Sequence, residues 1–237
     1  MKIKNKKIKN IFVACDTSNL KEIKRIIKDT KTNKLKIILK FGLQFFYSKN
    51  GRKFLKKFKK PFFLDVKIGD VPNTALSALD SLKDLKKIRY ITVHVSGGFE
   101  MLKAVTKKAK KINKNIKVLG VTILTSLNNK SLREIGYTKT VEQLVLKQAG
   151  LIKKSGAAGI VCSAKEAKIV RKKYKNLFIV TPGIRLPGDD SNDQSRVMTP
   201  NDAFKAKVSG IVMGRSLTKP KRNIKNNIKR LINHLNQ

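Results

Sequence analysis

Cysteine and long apolar runs are both scarce in this chain of 237 residues. Its two cysteines, Cys15 and Cys162, each stand at the end of an apolar run. Two isolated thiols give no sign of a disulfide framework or a zinc site, and they suit a reducing cytoplasm. No run approaches the roughly 18 apolar residues of a membrane-spanning helix. The basic start MKIKNKKIKN lacks the apolar segment of a signal peptide, so we expect a cytoplasmic protein in which residues 1–9 form a basic N-terminal tail.

Acidic residues are also few, and this leaves the chain strongly basic. There are 55 Lys and Arg against 15 Asp and Glu, which gives a formal net charge of +40. Such an excess raises the hypothesis of nucleic-acid binding. The basic residues nevertheless recur over all the predicted helices, in segments that include 52–60, 107–117, 171–176 and 219–230. This spread predicts a solvated exterior that binds polyanions only weakly and non-specifically, and less so as salt rises.

Apolar runs of strand length alternate with segments of helical period along the chain. We count eight such runs, at 10–15, 35–40, 62–67, 90–95, 117–124, 158–163, 177–183 and 210–214. The segments between them are amphipathic, and TPNDA at 199–203 offers a threonine N-cap followed by proline. Continuous apolar strands that alternate with helices are typical of a parallel sheet covered by helices. With no linker or low-complexity stretch in the chain, we predict an α/β protein, a single (β/α)8 TIM-barrel domain over residues 1–237.

Nearly every predicted strand ends in a polar or charged residue. In a (β/α)8 barrel the C-terminal ends of the strands converge on one face, and that face carries the active site. The pattern therefore predicts a functional mouth, because a purely structural barrel has little reason to end its core strands in this way. In chain order the residues are Asp16, Lys40, Asp65 with Lys67, His94, Thr125, Ser163, Arg185 and Arg215.

The stretch LDVKIGDVPNT at 64–74 places opposite charges side by side at the end of a core strand. Residues two apart on a strand point the same way, so Asp65 and Lys67 are predicted to face the mouth together. Lys40 lies on the neighbouring strand and should approach Asp65. Burial lowers the pKa of a lysine while flanking carboxylates raise it, so this alternating row would keep Lys67 charged. Taken alone, the motif also fits a structural ion-pair network.

Two glycine- and arginine-containing stretches predict a phosphate site. TPGIR at 181–185 follows the seventh predicted strand and GRS at 214–216 follows the eighth. These are the loops that commonly bind phosphate in this barrel, with backbone N–H groups and a bidentate arginine. The polar segment 186–196 between them is predicted to be either a solvated loop or a lid that closes over the phosphate, with Gln194 reaching inward. The spacing of its aspartates fits no metal-ligand pattern.

In their order along the chain, eight motifs resemble the orotidine 5′-phosphate decarboxylase family of the bacterial type. The resemblance covers nearly the whole chain, and the ordered set is far more specific than D-x-K-x-x-D alone. It implies a lyase that converts orotidine 5′-phosphate to UMP and CO2 in pyrimidine biosynthesis, with no cofactor and no metal. The motifs are ACDTSNL (14–20), LKFGLQFF (39–46), LDVKIGDVPNT (64–74), ITVHVSGG (91–98), VTILTSL (121–127), VTPGIR (180–185), RVMTP (196–200) and GRSLTKP (214–220).

The resemblance also implies a role for each matching residue. Lys67 would protonate C6 of the pyrimidine, and Asp65 would lie beside the substrate carboxylate. Lys40 would contact the ribose and pair with Asp65, and Asp16 would bind a ribose hydroxyl. The phosphate would be held by Arg185, Gln194, Gly214 and Arg215.

Two further residues are implied to act across a subunit interface. Asp70 and Thr74 would enter the active site of the other subunit, so the resemblance implies a homodimer, with Asp70 in the catalytic set. Thr125, or Ser126 beside it, would read the edge of the pyrimidine.

Two alternatives of different class are weighed against this prediction. A sugar-phosphate decarboxylase or aldolase of the same barrel would use Mg²⁺ and carry an acidic residue at the position of Lys40. The positive charge of Lys40 would repel the metal. A basic nucleic-acid-binding barrel with a vestigial site would bind tightly, with steep salt dependence, and would not decarboxylate. Lys40 argues against the first alternative, and the intact set Lys40, Asp65, Lys67 and Asp70 argues against the second.

Overall fold

The structure, a computed structural model, describes residues 9–189, 198–218 and 223–237. The predicted tail at 1–9 falls outside these ranges except for Lys9, and so do Gln194 and most of the predicted lid at 186–196. In the described ranges, no helix combines the length and the apolar character needed to cross a membrane.

Eight parallel strands close into a barrel in chain order, with the last strand pairing the first. This confirms the predicted (β/α)8 fold, and each predicted run overlaps one strand. The runs misplace some ends, since β2 continues through Gly42 and β5 already stops at Val121. The strands are β1 Asn10–Ala14, β2 Lys36–Gly42, β3 Phe62–Ile68, β4 Ile88–His94, β5 Lys117–Val121, β6 Gly159–Val161, β7 Phe178–Thr181 and β8 Gly210–Met213.

Helices cover the outside of the barrel. Thr199 caps one of them through a hydrogen bond from the Asp202 N–H to its side chain, with Pro200 at the first helical position, as the sequence predicts. The described helices are α1 Leu20–Asp29, α2 Leu43–Phe46, α3 Gly51–Lys57, α4 Pro72–Asp80, α5 Gly98–Ile112, α6 Asn129–Glu134, α7 Val141–Lys154, α8 Ala164–Lys173, α9 Pro200–Lys205, α10 Arg215–Thr218 and α11 Ile224–Asn236.

Apolar side chains form two layers, one inside the barrel and one between the strands and the helices. The interior is filled by aromatic rings: Phe12 makes edge-to-face contacts with Phe63 and Tyr90 at centroid distances of 5.2 and 5.1 Å. Such contacts add to the stabilisation from burial. The barrel is therefore a packed core rather than a channel, and its two ends form separate surfaces.

One position shows how closely the strands approach. A Cβ atom at Gly159, the first residue of β6, would lie 1.9 Å from the carbonyl oxygen of Phe178 on β7. No real Cβ contact is that short, so only glycine fits where these two strands begin.

Candidate active site

A cavity of about 470 Å³ opens at the C-terminal ends of the strands. It is the mouth that the polar strand ends predict. Of the eleven residues predicted for the site, the structure brings eight together around this cavity: Asp16, Lys40, Asp65, Lys67, Thr125, Arg185, Gly214 and Arg215.

Four of these residues form an alternating charged row, Asp16–Lys40–Asp65–Lys67. Lys40 Nζ lies 3.2 Å from Asp16 Oδ1 and 3.2 Å from Asp65 Oδ2, and Lys67 Nζ lies 3.0 Å from Asp65 Oδ1. The side chains of Lys40 and Asp65 are only 8% and 14% exposed, whereas that of Asp16 is 56% exposed. The central pair is thus largely removed from water, and its charges are compensated by each other.

The charged row controls the protonation of its buried members. Burial alone would lower the pKa of Lys40, but the neighbouring Asp65 and Asp16 outweigh it, and the pKa is raised above its ordinary 10.5. Burial would likewise raise the pKa of Asp65, yet Lys40, Lys67 and a hydrogen bond from Thr92 bring it below the ordinary 3.8. Both residues therefore stay charged at neutral pH.

Glycine at position 42 gives the charged row its room. Gly42 pairs with Asp65 in the β2–β3 register, so no side chain stands directly beside the carboxylate. A Cβ atom at this position would come within 3.0 Å of Asp16 Oδ1 and 3.3 Å of Lys40 Nζ. Lys40 lies two residues earlier on β2 and can reach Asp65 across this gap.

The end of β3 is irregular where it carries Lys67. The β3–β4 register shifts between Leu64 and Ile68, and Lys67 adopts a left-handed backbone with φ of 51°. Such a conformation costs a non-glycine residue about 1–3 kcal/mol and is common at functional sites. Asp65 and Lys67 line the mouth together, as expected. The expectation assumed a regular strand, however, and the strand is irregular at this point.

Thr92 on β4 secures this irregular segment, and sequence reasoning missed it. Its hydroxyl donates to Asp65 Oδ1 at 2.9 Å and accepts from the backbone N–H of Lys67 at 2.9 Å. The Thr92 side chain is fully buried. Its hydroxyl therefore links the two members of the ion pair at a point that water does not reach. A single threonine in the apolar run around 90–95 was the available signal.

The opposite side of the mouth carries two arginines. Arg185 is buried, its Nη1 donates to the Ile184 carbonyl at 3.0 Å, and its Nε has no acceptor among the residues that the structure describes. Burial first, and then the nearby positive Arg215, lower the pKa of Arg185, while Asp189 opposes them. Two guanidinium groups so close together favour an anion between them.

A polar cluster next to these arginines ties the β7 loop to the last helix. Ser216 Oγ donates to Asp189 Oδ2 and accepts from the N–H of Leu186 at 3.0 Å. Arg230 on α11 donates to Asp189 Oδ1 from Nη1 at 3.3 Å and from Nη2 at 3.2 Å, and also to the Pro187 carbonyl at 3.0 Å. Sequence reasoning missed this cluster, because no pattern links residues so far apart in the chain.

Some predicted residues lie elsewhere. Asp70 and Thr74 are exposed and do not line the cavity, and Asp70 Oδ1 accepts from the N–H of Val71 at 2.7 Å. Thr125 lines the cavity, whereas the adjacent Ser126 is exposed and does not. In the described ranges, no group of three or more His, Cys, Asp and Glu side chains could hold a metal ion.

The mouth joins two cationic regions with different properties. On β2 and β3, Lys67 is held beside a carboxylate, so an ammonium group with a fixed position faces the cavity. After β7 and β8, two guanidinium groups face the same space. This is the end at which enzymes of the (β/α)8 class carry their active sites, and the loops after β7 and β8 are where this class frequently binds phosphate groups.

Comparison with known proteins narrows this class to one family. The chain belongs to the orotidine 5′-phosphate decarboxylase / HUMPS family, whose sequence profile matches residues 9–231. It is 39% identical over 212 residues to orotidine 5′-phosphate decarboxylase of Wolbachia sp. subsp. Brugia malayi, a match that covers 88% of this chain and 92% of the relative. The enzyme of the same name from Bacillus cytotoxicus is 38% identical over 219 residues, covering 89% and 91%.

A solved structure shows the same architecture. The crystal structure of orotidine 5′-phosphate decarboxylase from Lactobacillus acidophilus superposes with a TM-score of 0.81 at 29% sequence identity. The match covers 97% of this chain and all of the other. The resemblance that the motifs suggest therefore extends over the complete barrel.

Proposed function

We propose that this protein is a carboxy-lyase that converts orotidine 5′-phosphate to UMP and CO2 as part of pyrimidine biosynthesis. The relatives that carry this name align over about nine tenths of the chain, at 38–39% identity. The observation that carries the proposal is the ammonium of Lys67, fixed 3.0 Å from Asp65 in the mouth. A decarboxylation without a cofactor needs such a group, because negative charge develops on the carbon that loses CO2.

In the proposed complex the substrate spans the mouth. Its phosphate lies at the two arginines after β7 and β8, and its ribose lies along the charged row. The remote phosphate supplies binding energy that holds the reacting ring in place. In this arrangement Arg185, Gln194, Gly214 and Arg215 contact the phosphate, Asp16 and Lys40 the ribose, and Thr125 the pyrimidine edge.

The chemical step is a bond cleavage followed by a proton transfer. The bond between C6 and the carboxylate breaks, CO2 leaves, and the electron pair remains on C6. The Lys67 ammonium stabilises this charge and donates a proton to C6, and the resulting amine regains a proton from solvent. Asp65 holds the Lys67 ammonium in position, and its negative charge also lies beside the carboxylate that departs.

Replacing Lys67 tests this mechanism. We expect Lys67→Ala to lower turnover by at least about 10⁴-fold, because it removes both the proton donor and the electrostatic stabilisation. Binding of UMP should largely persist, since the arginines remain. Turnover is followed by the absorbance loss of the orotate ring, and UMP binding by calorimetry.

A matched variant controls for the loss of a paired lysine. Lys108 Nζ lies 2.7 Å from Asp80 Oδ2, outside the cavity, so Lys108→Ala should leave turnover unchanged. Near-normal rates in Lys67→Ala would contradict the mechanism.

We also propose that the enzyme is a homodimer in which Asp70 and Thr74 complete the partner's site. Both side chains are exposed, and neither lines the mouth of its own chain. Next to them in the chain, Val71 is 63% exposed, and Leu43 and Tyr47 after β2 are 42% and 75% exposed. Exposed apolar side chains of this size favour burial against another protein surface.

Complementation tests the shared site. Lys67→Ala and Asp70→Asn should each be inactive alone. In a mixed dimer, however, one site combines an intact Lys67 with an intact Asp70. Random mixing of the two variants should then restore about a quarter of the wild-type activity. No recovery after subunit exchange, with mixed dimers shown by mass spectrometry, would contradict a shared site.

The charged row also bears on the metal-dependent alternative. The Lys40 ammonium lies 3.2 Å from both Asp16 and Asp65, in the space that a divalent cation bridging these carboxylates would need. We therefore propose that turnover needs no metal. A chelator should leave the rate unchanged, and a loss restored by Mg²⁺ would favour the sugar-phosphate class.

We further propose a cytoplasmic location. Cys15 and Cys162 are both buried, and neither forms a disulfide in the described part of the chain, as expected for a protein made in a reducing compartment. Fractionation of cells followed by immunodetection checks this location.

A further inference from the structure

A second cavity lies at the opposite end of the barrel from the mouth, and we call it the floor cavity. Its volume of about 830 Å³ exceeds that of the mouth. It is built where the strands begin, since Asn10, Lys117 and Phe178 are the first residues of β1, β5 and β7. Ligand sites typically occupy about 300–1,000 Å³, so the floor cavity is large enough for a small molecule.

The lining of the floor cavity is cationic. Among the described residues that line it, five carry positive charge and none is acidic. In the mouth, by contrast, the lysines alternate with Asp16 and Asp65. Positive side chains grouped around a concave surface concentrate anions there, because the low-dielectric walls focus their field. The five residues are Lys9, Lys117, Arg171, Lys175 and Lys207.

Lys117 lies at the centre of this charge. Its Nζ lies 4.8 Å from the ring centre of Phe178 and 6.0 Å from that of Tyr90, and these two rings stack on each other at 5.6 Å. Burial first, and then the positive Arg89 and Lys36, lower the pKa of Lys117. A bound anion would therefore compensate a charge that the protein itself leaves poorly compensated.

Arg171 holds the two loops that carry Lys175 and Lys207. Its Nε donates to the Lys207 carbonyl at 3.0 Å, its Nη1 donates to the Lys175 carbonyl, and its Nη2 donates to Ser209 Oγ at 3.3 Å. Ser209 Oγ in turn accepts from the N–H of Ile179 at 3.1 Å. Lys207 is held with φ of 58°, a left-handed conformation that a lysine rarely adopts. Arg171 thus holds the backbone at Lys175 and Lys207 in place, so the two lysines stand at fixed positions on the rim.

We propose that the floor cavity is a second binding site, separate from the mouth, for a small phosphoanion with several negative charges. The polyphosphate group of a nucleoside triphosphate and inorganic triphosphate share this chemistry. Point-like ammonium groups on flexible stems suit such a ligand, because they can gather around several phosphate oxygens. This site does not depend on the activity proposed for the mouth.

Matched double variants test the site. The cavity variant is Lys117→Gln/Lys175→Gln, and the control variant is Lys24→Gln/Lys28→Gln on the exposed face of α1. Each lowers the net charge by the same amount, and both keep the mouth intact. Lys175→Gln alone is included because this exposed side chain can be changed without touching the stacked rings. Circular dichroism verifies that each variant folds.

Calorimetry with inorganic triphosphate at about 150 mM salt, where long-range attraction is screened, measures the binding. We expect one cavity-dependent site per chain. The cavity variant should bind at least about tenfold more weakly than wild type, and the control variant within about twofold of it. Lys175→Gln should fall between them. Equal weakening in both double variants, or no binding by wild type, would overturn the proposal.

Two further ligands identify the source of the anion. ATP that binds more tightly than triphosphate, with a gain lost in the cavity variant, would support the site and identify its ligand as a nucleotide. Equal affinities would support it as a polyphosphate site. A single-stranded oligonucleotide of about 20 residues tests the opposing hypothesis that the cavity binds nucleic acid. If only its affinity depends on Lys117 and Lys175, the partner is a nucleic acid and the small-molecule site is refuted.

Discussion

Replacing Asp65 by asparagine should destabilise the protein far more than the loss of one ion pair normally does. Asp65 lies between two ammonium groups, 3.2 Å from Lys40 and 3.0 Å from Lys67. Without its charge, Lys40 stays buried with only the exposed Asp16 as a counter-charge, and the two lysines repel each other. Removing one member of a buried pair costs about 3–5 kcal/mol, and we expect this range for Asp65→Asn.

The pH dependence of that cost follows from the lowered pKa of Asp65. Because its folded-state pKa lies below the ordinary 3.8, Asp65 contributes stability above pH 3.8 and loses it as pH falls towards the folded-state value. The difference in unfolding free energy between wild type and Asp65→Asn should therefore be constant near neutral pH. It should shrink below pH 3.8, where the wild-type carboxylate also becomes neutral.

Urea denaturation at several pH values measures this difference, with Asp84→Asn as the matched control. Asp84 also lies between two cations, 2.7 Å from Arg52 and 3.6 Å from Lys56, but its side chain is 33% exposed. An exposed arrangement of this kind contributes about 1 kcal/mol or less. Equal costs for the two variants, or a difference that grows in acid, would refute the reasoning.

Three further predictions concern other parts of the fold. Arg230→Gln should raise KM for orotidine 5′-phosphate about tenfold with little change in kcat, because it removes one of the partners that hold Asp189 beside the proposed phosphate site; partial rescue by Arg230→Lys in steady-state assays separates this from general unfolding. Gly159→Ala should lower the free energy of unfolding by about 3 kcal/mol or more, since the new Cβ would meet the Phe178 carbonyl; unchanged thermal unfolding would contradict this. Cys15, whose pKa burial raises well above its ordinary 9.0, should resist iodoacetamide until the protein is denatured, as peptide mass mapping would show.

The barrel and the position of its mouth were predictable because they depend on periodic features of the sequence. Eight apolar runs and their spacing suffice to predict a closed parallel sheet, and the polar residue after each run locates the functional end. The meeting of Lys40 with Asp65 follows from two neighbouring strands in register. The details of this contact could not be predicted. The residue paired with Asp65 is Gly42, and Lys40 reaches Asp65 across the space that this glycine leaves.

The parts that the sequence could not predict depend on contacts between distant segments. Thr92 holds Asp65 and Lys67 from the next strand, and Arg230 holds Asp189 from the last helix. The floor cavity is assembled from the starts of several strands, so its charges are scattered along the chain. The even spread of lysine in the sequence hid the fact that some of them line one concave surface.

The left-handed backbone at Lys67 determines how the D-x-K pattern can be transplanted. On a regular strand the lysine would project from the sheet on the same face as the aspartate, without the register shift and without the hydroxyl that anchors its N–H. If only the D-x-K residues are transferred to another parallel barrel, the ion pair should form with its ammonium pointing in a different direction. The unit that must be transferred is larger. It includes the irregular end of β3, Thr92 on the neighbouring strand, and a glycine opposite the carboxylate.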